Sequence, residues 1–130
     1  MQRRYQKPVR FAEGCILVGE HPIRFSQVAK IEELPWQDLG IDLVVECSGR
    51  LRRRSDCLPH LEHFTKKVLV SNPVVGAANL VFGVNHHSIE FAEHEVITAA
   101  SCTTNCLSPI VRVLHDKIGI ARGAVTTLHD

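Results

Sequence analysis

Two short apolar runs limit the possible folds of this chain more than any other feature. Residues 42–47 and 67–71 are continuous segments rich in Val and Leu, bounded by Gly or Ser, as is typical of strands buried on both faces of a parallel sheet. Residues 51–64 between them carry leucines at roughly helical spacing. The three segments together predict a βαβ unit with a right-handed crossover.

The same alternation continues towards the C-terminus. Residues 80–85 and 95–99 read as two more strands, residues 107–118 as a helix, and residues 124–129 as a last strand. Before residue 40 the pattern is weaker and predicts only a small hairpin, from strand candidates at residues 15–18 and 23–25. Residues 31–39 are predicted to form an irregular or single-turn segment. The prediction is an α/β fold with a doubly wound parallel sheet.

Charge and composition exclude several classes of function. The 130 residues carry 15 Lys and Arg against 14 Asp and Glu, a net charge of +1, which gives no electrostatic case for nucleic acid. No apolar run approaches the roughly 18 residues of a membrane span, and the N-terminus lacks a secretory pattern. Five cysteines without a regular framework favour free thiols in a reducing, cytoplasmic setting. Small molecules or other chains are the expected partners.

Small polar residues follow three of the predicted strands. Ser48 and Gly49 follow the first, Ser71 the second, and Ser101 the strand before the long helix. In a doubly wound sheet, ligands bind outside the carboxyl ends of the strands, so these residues are candidates for a cofactor site. When each residue is taken alone, ordinary turn chemistry is the better explanation.

A cysteine stands where the last of these strands meets the long helix. Ser101 is the predicted N-cap and Cys102 follows it, among backbone N–H groups that have no intrahelical acceptor and favour a negative charge. A thiolate formed there would be a nucleophile, and His129 is a candidate base. The buried stripe of the helix is predicted at Leu107, Ile110, Val111, Leu114 and Ile118, with a stop at Gly119.

Two other interpretations of the cysteine remain open from the residues alone. Cys102 and Cys106 could both be buried structural cysteines, or they could be two ligands of a metal site. The metal interpretation is weak because a single C-x-x-x-C lacks a second pair of ligands. No metal is therefore predicted.

The sequence around Cys102 resembles the active-site signature of phosphorylating glyceraldehyde-3-phosphate dehydrogenases. The signature is the run of residues 100–107 with Pro109. Further segments resemble that family in the same order over about residues 36–130: residues 45–49, 67–71 with Pro73, 83–86, and 123 with 126–129. The ending of residues 126–130, TTLHD, is similar to a branch of the family associated with arsenic-resistance operons.

The resemblance implies roles for individual residues. Cys102 would add to the substrate aldehyde and His129 would activate the thiol. Ser101 and Thr103 match positions that contact substrate or inorganic phosphate. The positions that line the cofactor site, for NAD or NADP, are matched by Ser48, Gly49 and Ser71.

Departures from the family pattern are also informative. No G-x-G-x-x-G occurs near the start of the chain, and Asn72 stands where the family usually has alanine. The expectation is a partial Rossmann-like parallel sheet that lacks its first βαβ unit and ends at the first strand of a missing catalytic domain. Residues 1–40 would form an irregular segment with the hairpin, residues 41–123 the C-terminal part of the NAD-binding domain with the cysteine helix, and residues 124–130 the start of the catalytic domain.

The resulting interpretation is a fragment of a glyceraldehyde-3-phosphate dehydrogenase. Its substrates would be an aldehyde phosphate and inorganic phosphate, and its full-length relatives would be homo-oligomers. The isolated chain is expected to be inactive and prone to aggregation, because its strands lack neighbours. Two alternatives remain, a non-catalytic oligomerisation or interaction remnant and a thiol redox sensor that uses Cys102.

Overall fold

Three short strands joined by tight turns form the N-terminal part of the chain. The computed structural model describes residues 6–12, 14–62 and 65–128, and the chain divides into two units, Met1–Leu34 and Pro35–Asp130. In the first unit, strands β1 (Val9–Ala12), β2 (Cys15–Val18) and β3 (His21–Arg24) form an antiparallel sheet in that order.

The predicted hairpin is confirmed, with two corrections. β3 begins at His21 and pairs with Val18 across a two-residue turn, which Gly19 permits because its φ is 66°. The sequence interpretation also missed β1. In β1, Val9 and Phe11 alternate with Arg10 and Ala12, and this alternation could have predicted the strand. The Phe11 ring packs edge-on against Phe25 with centroids 6.2 Å apart.

The second unit contains the predicted parallel sheet. Strands β4 (Leu43–Glu46), β5 (Lys67–Val70), β6 (Ala78–Asn79) and β7 (Val96–Thr98) lie in the order β4-β5-β7-β6, all parallel. Helix α1 (Arg54–Glu62) connects β4 to β5. The α/β class with a partial Rossmann-like sheet is therefore confirmed, as are three of the predicted strands.

The core lies between α1 and one face of this sheet. Its buried members are Cys57, Val68, Val70, Val74 and Val96. Alternate residues of β4 point away from this core, and Leu43 and Val45 are 51% and 57% exposed. One face of the sheet is thus packed and part of the other is open.

The strand predicted at residues 80–85 lies earlier in the chain. β6 ends at Asn79, and turns follow it. The Asn85 side chain explains the early end, because its Oδ1 accepts from Val81 N at 2.8 Å and its Nδ2 donates to Asn79 O at 2.8 Å. These bonds favour a turn over continued strand pairing.

Helix α2 (Cys102–Lys117) is longer than predicted and its apolar stripe is not buried. The stripe prediction was wrong: Leu107 is half-buried and Ile110, Val111, Leu114 and Ile118 are exposed. Periodicity shows which face could be buried, but no element of the described residues covers this one. The helix ends at Lys117, and Gly119, the predicted stop, follows two residues later with φ 83°.

The last predicted strand does not form within the described residues. Residues 120–128 contain no strand or helix. An isolated strand gains no ladder hydrogen bonds, and no described segment pairs with this one. In the part of the chain that the structure describes, no helix is long and apolar enough to span a membrane.

Candidate functional site

The strand order brings the predicted site residues to one edge of the sheet. β4, β5 and β7 are adjacent and parallel, so the residues that follow them, Ser48 with Gly49, Ser71, and Ser101, leave the sheet at the same carboxyl edge. The ladder continues to this edge, where Ser71 N donates to Glu46 O at 2.9 Å and Ala99 N donates to Val70 O at 2.8 Å. The parallel strand order thus places these residues at one edge of the sheet.

The turn after β4 is held by side-chain acceptors. Glu46 Oε1 accepts from Ser48 N at 2.6 Å, and Ser48 Oγ accepts from Arg50 N at 3.2 Å. Gly49 has φ 71°, a conformation that side chains disfavour. A Cβ there would have no atom within 4 Å, so the space beside this backbone is open to a ligand.

Asn72 links this turn region to the loop after β5, a contact that the sequence interpretation did not find. Its Nδ2 donates to Leu51 O at 2.9 Å and to Pro73 O at 3.1 Å. Its Oδ1 is buried and has no hydrogen-bond partner among the described residues. A buried acceptor without a donor is costly, so a ligand that donates a hydrogen bond would be favoured here.

These features fit a dinucleotide cofactor. The edge presents serine hydroxyls, open backbone at Gly49 and the Asn72 acceptor, and such groups suit sugar hydroxyls and a carboxamide. Ser48, Gly49, Ser71 and Asn72 are the residues that could hold the cofactor.

The strand-to-helix joint before Cys102 has an unusual backbone. Ala100 has φ 59°, the only positive φ at a non-glycine residue in the described chain, and its N–H donates to Thr98 Oγ1 at 2.9 Å. Asn105 Nδ2 donates to Ala99 O at 2.7 Å and to Ser101 O at 2.9 Å. Strained backbone of this kind persists when its surroundings fix it, and it is frequent at functional sites.

Ser101 is the N-cap of α2, as predicted. Its Oγ accepts from Thr104 N at 3.0 Å, and the backbone of Ser101 is extended. Cys102 is therefore the first residue of the helix, at the positive end of the helix dipole.

The Cys102 side chain borders an open groove of about 360 Å³. Cys102 and Cys106 are both exposed, so the interpretation of both as buried structural cysteines is wrong. Thr103 also lines the groove, and its opposite wall is formed by residues 125–128. His129, the predicted base, lies outside the described residues.

The remaining cysteines differ in environment. Cys57 is fully buried in the core, and burial, followed by the negative charges of Asp56 and Glu46, raises the pKa of its thiol. Cys47 is exposed and Cys15 is half-buried, and all five cysteines are free thiols. Over residues 6–12, 14–62 and 65–128, no three His, Cys, Asp or Glu side chains are placed to hold a metal ion.

Comparison with protein families matches both parts of the chain. Residues 1–54 match the model of "Glyceraldehyde 3-phosphate dehydrogenase, NAD binding domain", and residues 101–130 match "Glyceraldehyde 3-phosphate dehydrogenase, C-terminal domain". The first match begins at residue 1, so the similarity to the family includes the N-terminal sheet. The resemblance seen in the sequence began only at about residue 36.

Curated relatives agree with these matches. The chain is 46% identical over 121 residues to glyceraldehyde-3-phosphate dehydrogenase 3 of Nostoc sp., covering 92% of this chain and 36% of the relative. It is 43% identical over 120 residues to the Chlamydia muridarum glyceraldehyde-3-phosphate dehydrogenase, with the same coverage. The Chlamydia pneumoniae protein is 42% identical over 127 residues, 97% of this chain and 38% of the relative. The chain thus spans a little over a third of the length of these relatives.

Proposed function

Because this chain belongs to the glyceraldehyde 3-phosphate dehydrogenase family, we propose that it carries the thiol nucleophile and part of the NAD site of such an enzyme. The observation that carries the proposal is the position of Cys102. Its exposed thiol is at the first position of α2, beside an open groove and next to a strained joint at the carboxyl edge of the sheet. Cys106, one turn further along, lacks the place at the helix start.

The proposed reaction begins at the Cys102 sulfur. The thiolate adds to the aldehyde carbon of the substrate, the carbonyl oxygen takes up a proton, and a hemithioacetal forms. NAD held at the sheet edge by Ser48, Gly49 and Ser71 would supply the oxidising chemistry, since its nicotinamide accepts a hydride. Loss of that hydride and of the hydroxyl proton leaves a thioester on Cys102. Inorganic phosphate, or arsenate in its place, attacks the thioester carbon, and the acyl group leaves as an acyl phosphate while the thiolate is regenerated.

The neighbouring residues have supporting roles in this proposal. Ser101 and Thr103 bind the substrate or the attacking phosphate, since both flank the nucleophile and Thr103 lines the groove. Ser48, Gly49 and Ser71 bind the cofactor at the sheet edge. His129 takes the thiol proton, a role that rests on the family resemblance.

The cellular setting is part of the same proposal. All five cysteines are free thiols, which supports a cytoplasmic location, and a homo-oligomer is the proposed assembly of the full-length form. Because the chain spans little more than a third of its relatives, we expect the 130 residues alone to form no NADH from glyceraldehyde 3-phosphate and NAD. Measurable NADH formation by the purified chain would contradict this expectation.

Selective alkylation tests the nucleophile. The purified chain is treated with a limiting amount of iodoacetamide, and the labelled peptides are quantified by mass spectrometry. We expect Cys102 to be labelled about tenfold faster than Cys106 or Cys47, because it alone stands at a helix N-terminus. Cys57 should stay unlabelled because it is buried in the core.

Two variants make the labelling specific. Cys102→Ser should abolish the fast labelling, and the matched variant Cys106→Ser should retain it. Equal labelling rates at Cys102, Cys106 and Cys47, with Cys57 still protected, would show a folded chain without an activated thiol and would reject the proposal.

A further inference from the structure

We propose that Trp36, His60 and Glu46 form a largely buried series of polar contacts that positions the Ser48–Gly49 turn for the cofactor. This inference rests on the proposed function, because it names residues that act on the NAD site without lining it. Trp36 precedes β4, Glu46 is the last residue of β4, and His60 lies on α1. The three are positioning residues.

The first link fixes the state of the His60 ring. Trp36 Nε1 donates to His60 Nδ1 at 3.1 Å. An indole N–H can only donate, so Nδ1 must be an unprotonated acceptor. The proton of the neutral ring is therefore on Nε2.

The second link runs from that Nε2 to Glu46. The nitrogen lies 3.5 Å from Glu46 Oε2, a polar contact longer than a standard hydrogen bond. The His60 side chain is 3% exposed and that of Glu46 is 12% exposed, so little water competes for either group. A carboxylate this far from solvent needs polar partners, and the Nε2–H of His60 is one.

The third link reaches the turn. The other carboxylate oxygen of Glu46, Oε1, accepts from Ser48 N at 2.6 Å. One oxygen of Glu46 thus faces the buried histidine and the other holds the backbone next to Gly49, where the space beside the chain is open. Rotation of the carboxylate would break both contacts together.

His60 is also held at its backbone and by the Trp36 ring. Thr65, which is 5% exposed, donates its hydroxyl to His60 O, and the Trp36 ring lies 6.1 Å from the imidazole between centroids. The histidine is therefore fixed at its backbone and at Nδ1. A fixed ring can transmit the position of α1 to the carboxylate and so to the turn.

The test combines nuclear magnetic resonance with NAD titration of the full 130-residue chain. The ¹⁵N shifts of His60 should show the Nε2–H form, and the Ser48 amide should be protected from hydrogen exchange. In Trp36→Phe, which keeps an aromatic ring and removes the donor, we expect faster Ser48 exchange and about tenfold weaker NAD binding, the effect of one lost hydrogen bond. Exposed His115→Gln on α2 is the control and should change neither.

Conservative rescue separates positioning from general stability. Glu46→Ala should lose Ser48 protection, and Glu46→Gln should recover part of it and bind NAD more tightly than Glu46→Ala, because an amide oxygen can still accept from Ser48 N. An Nδ1–H form of His60 in the unmodified chain, or Ser48 exchange that Trp36→Phe leaves unchanged, would overturn the inference.

The two proposals fail in different ways. If the unmodified protein shows the Nε2–H form of His60 and a protected Ser48 amide but does not bind NAD, the proposed cofactor site is wrong. The positioning role of Trp36, His60 and Glu46 is then rejected as well. If NAD binds and Trp36→Phe binds it equally well, only the positioning role is rejected.

Discussion

Asn72 shows at the scale of one residue how a polar side chain can join two loops. Its Nδ2 ties the loop after β5 to Leu51 O, while its Oδ1 remains buried without a partner. Ser48, Gly49, Ser71 and the N-cap Ser101 could be predicted from the sequence, because residues that follow parallel strands reach one edge. The Asn72 contact could not, because its acceptor is 21 positions away.

Substitution of Asn72 should destabilise the chain in a defined order. Asn72→Ala removes the hydrogen bond to Leu51 O, which should lower the free energy of unfolding by about 1 kcal/mol. The same substitution also removes the unpaired oxygen. Asn72→Asp keeps the oxygens and places a carboxylate against the Leu51 carbonyl, so we expect a larger loss. Urea unfolding measures the relative stabilities of these variants. Asn79→Ala, at the end of β6, is the comparison. Equal stability of Asn72→Asp and the unmodified chain would contradict the role of Nδ2.

At the scale of the element, Asp56 determines where α1 begins. The helix starts at Arg54, three residues later than the predicted start at residue 51, because Asp56 Oδ2 accepts from Arg52 N at 3.1 Å and from Arg53 N at 2.9 Å. These backbone donors, Arg52 first, lower the pKa of the Asp56 carboxyl below its ordinary value. The sequence placed a helix between β4 and β5 but could not show that Asp56 would accept from the backbone N–H groups just before it.

The lowered pKa predicts the direction of an acid effect. A carboxyl with a lower pKa in the folded state stabilises the fold above its unfolded value, about 3.9, and that contribution is lost as the pH falls below this value. Asp56→Asn should therefore show a smaller decrease in melting temperature between about pH 5 and pH 3 than the unmodified chain. Exposed Asp38→Asn serves as the matched control. Parallel melting curves for Asp56→Asn and the unmodified chain would reject the capping role.

At the scale of the whole molecule, apolar surface on the second unit lacks cover within the described residues. Val45 on the sheet, Val113 on α2 and Ile118 directly after α2 are 57%, 60% and 79% exposed. Surfaces of this kind favour association, in agreement with the expectation that the isolated chain aggregates. The sequence pattern indicated Val45 and Ile118 as core, and the arrangement of elements leaves both exposed.

Substitution on α2 tests the exposed surface. The double variant Val113→Lys and Ile118→Lys should reduce light scattering of the 130-residue chain and leave its melting temperature nearly unchanged, because neither side chain is packed in the described structure. Buried Val68→Ala is the contrasting control, with an expected loss of about 2 kcal/mol. A large loss of stability in the lysine variant would show that α2 packs its apolar face in the isolated chain.

Features that depend on neighbours along the chain could be predicted from the sequence. Local apolar runs and capping chemistry account for β4, β5 and β7, the Ser101 cap, the stop at Gly119 and the place of Cys102 at the helix start. Contacts between distant segments, such as Trp36 with His60 and Asn72 with Leu51, are set by the tertiary fold. Local patterns fix backbone conformation within a few residues, whereas burial and hydrogen-bond partners depend on which surfaces meet. The surfaces described around α2 and residues 120–128 leave most of their apolar side chains exposed.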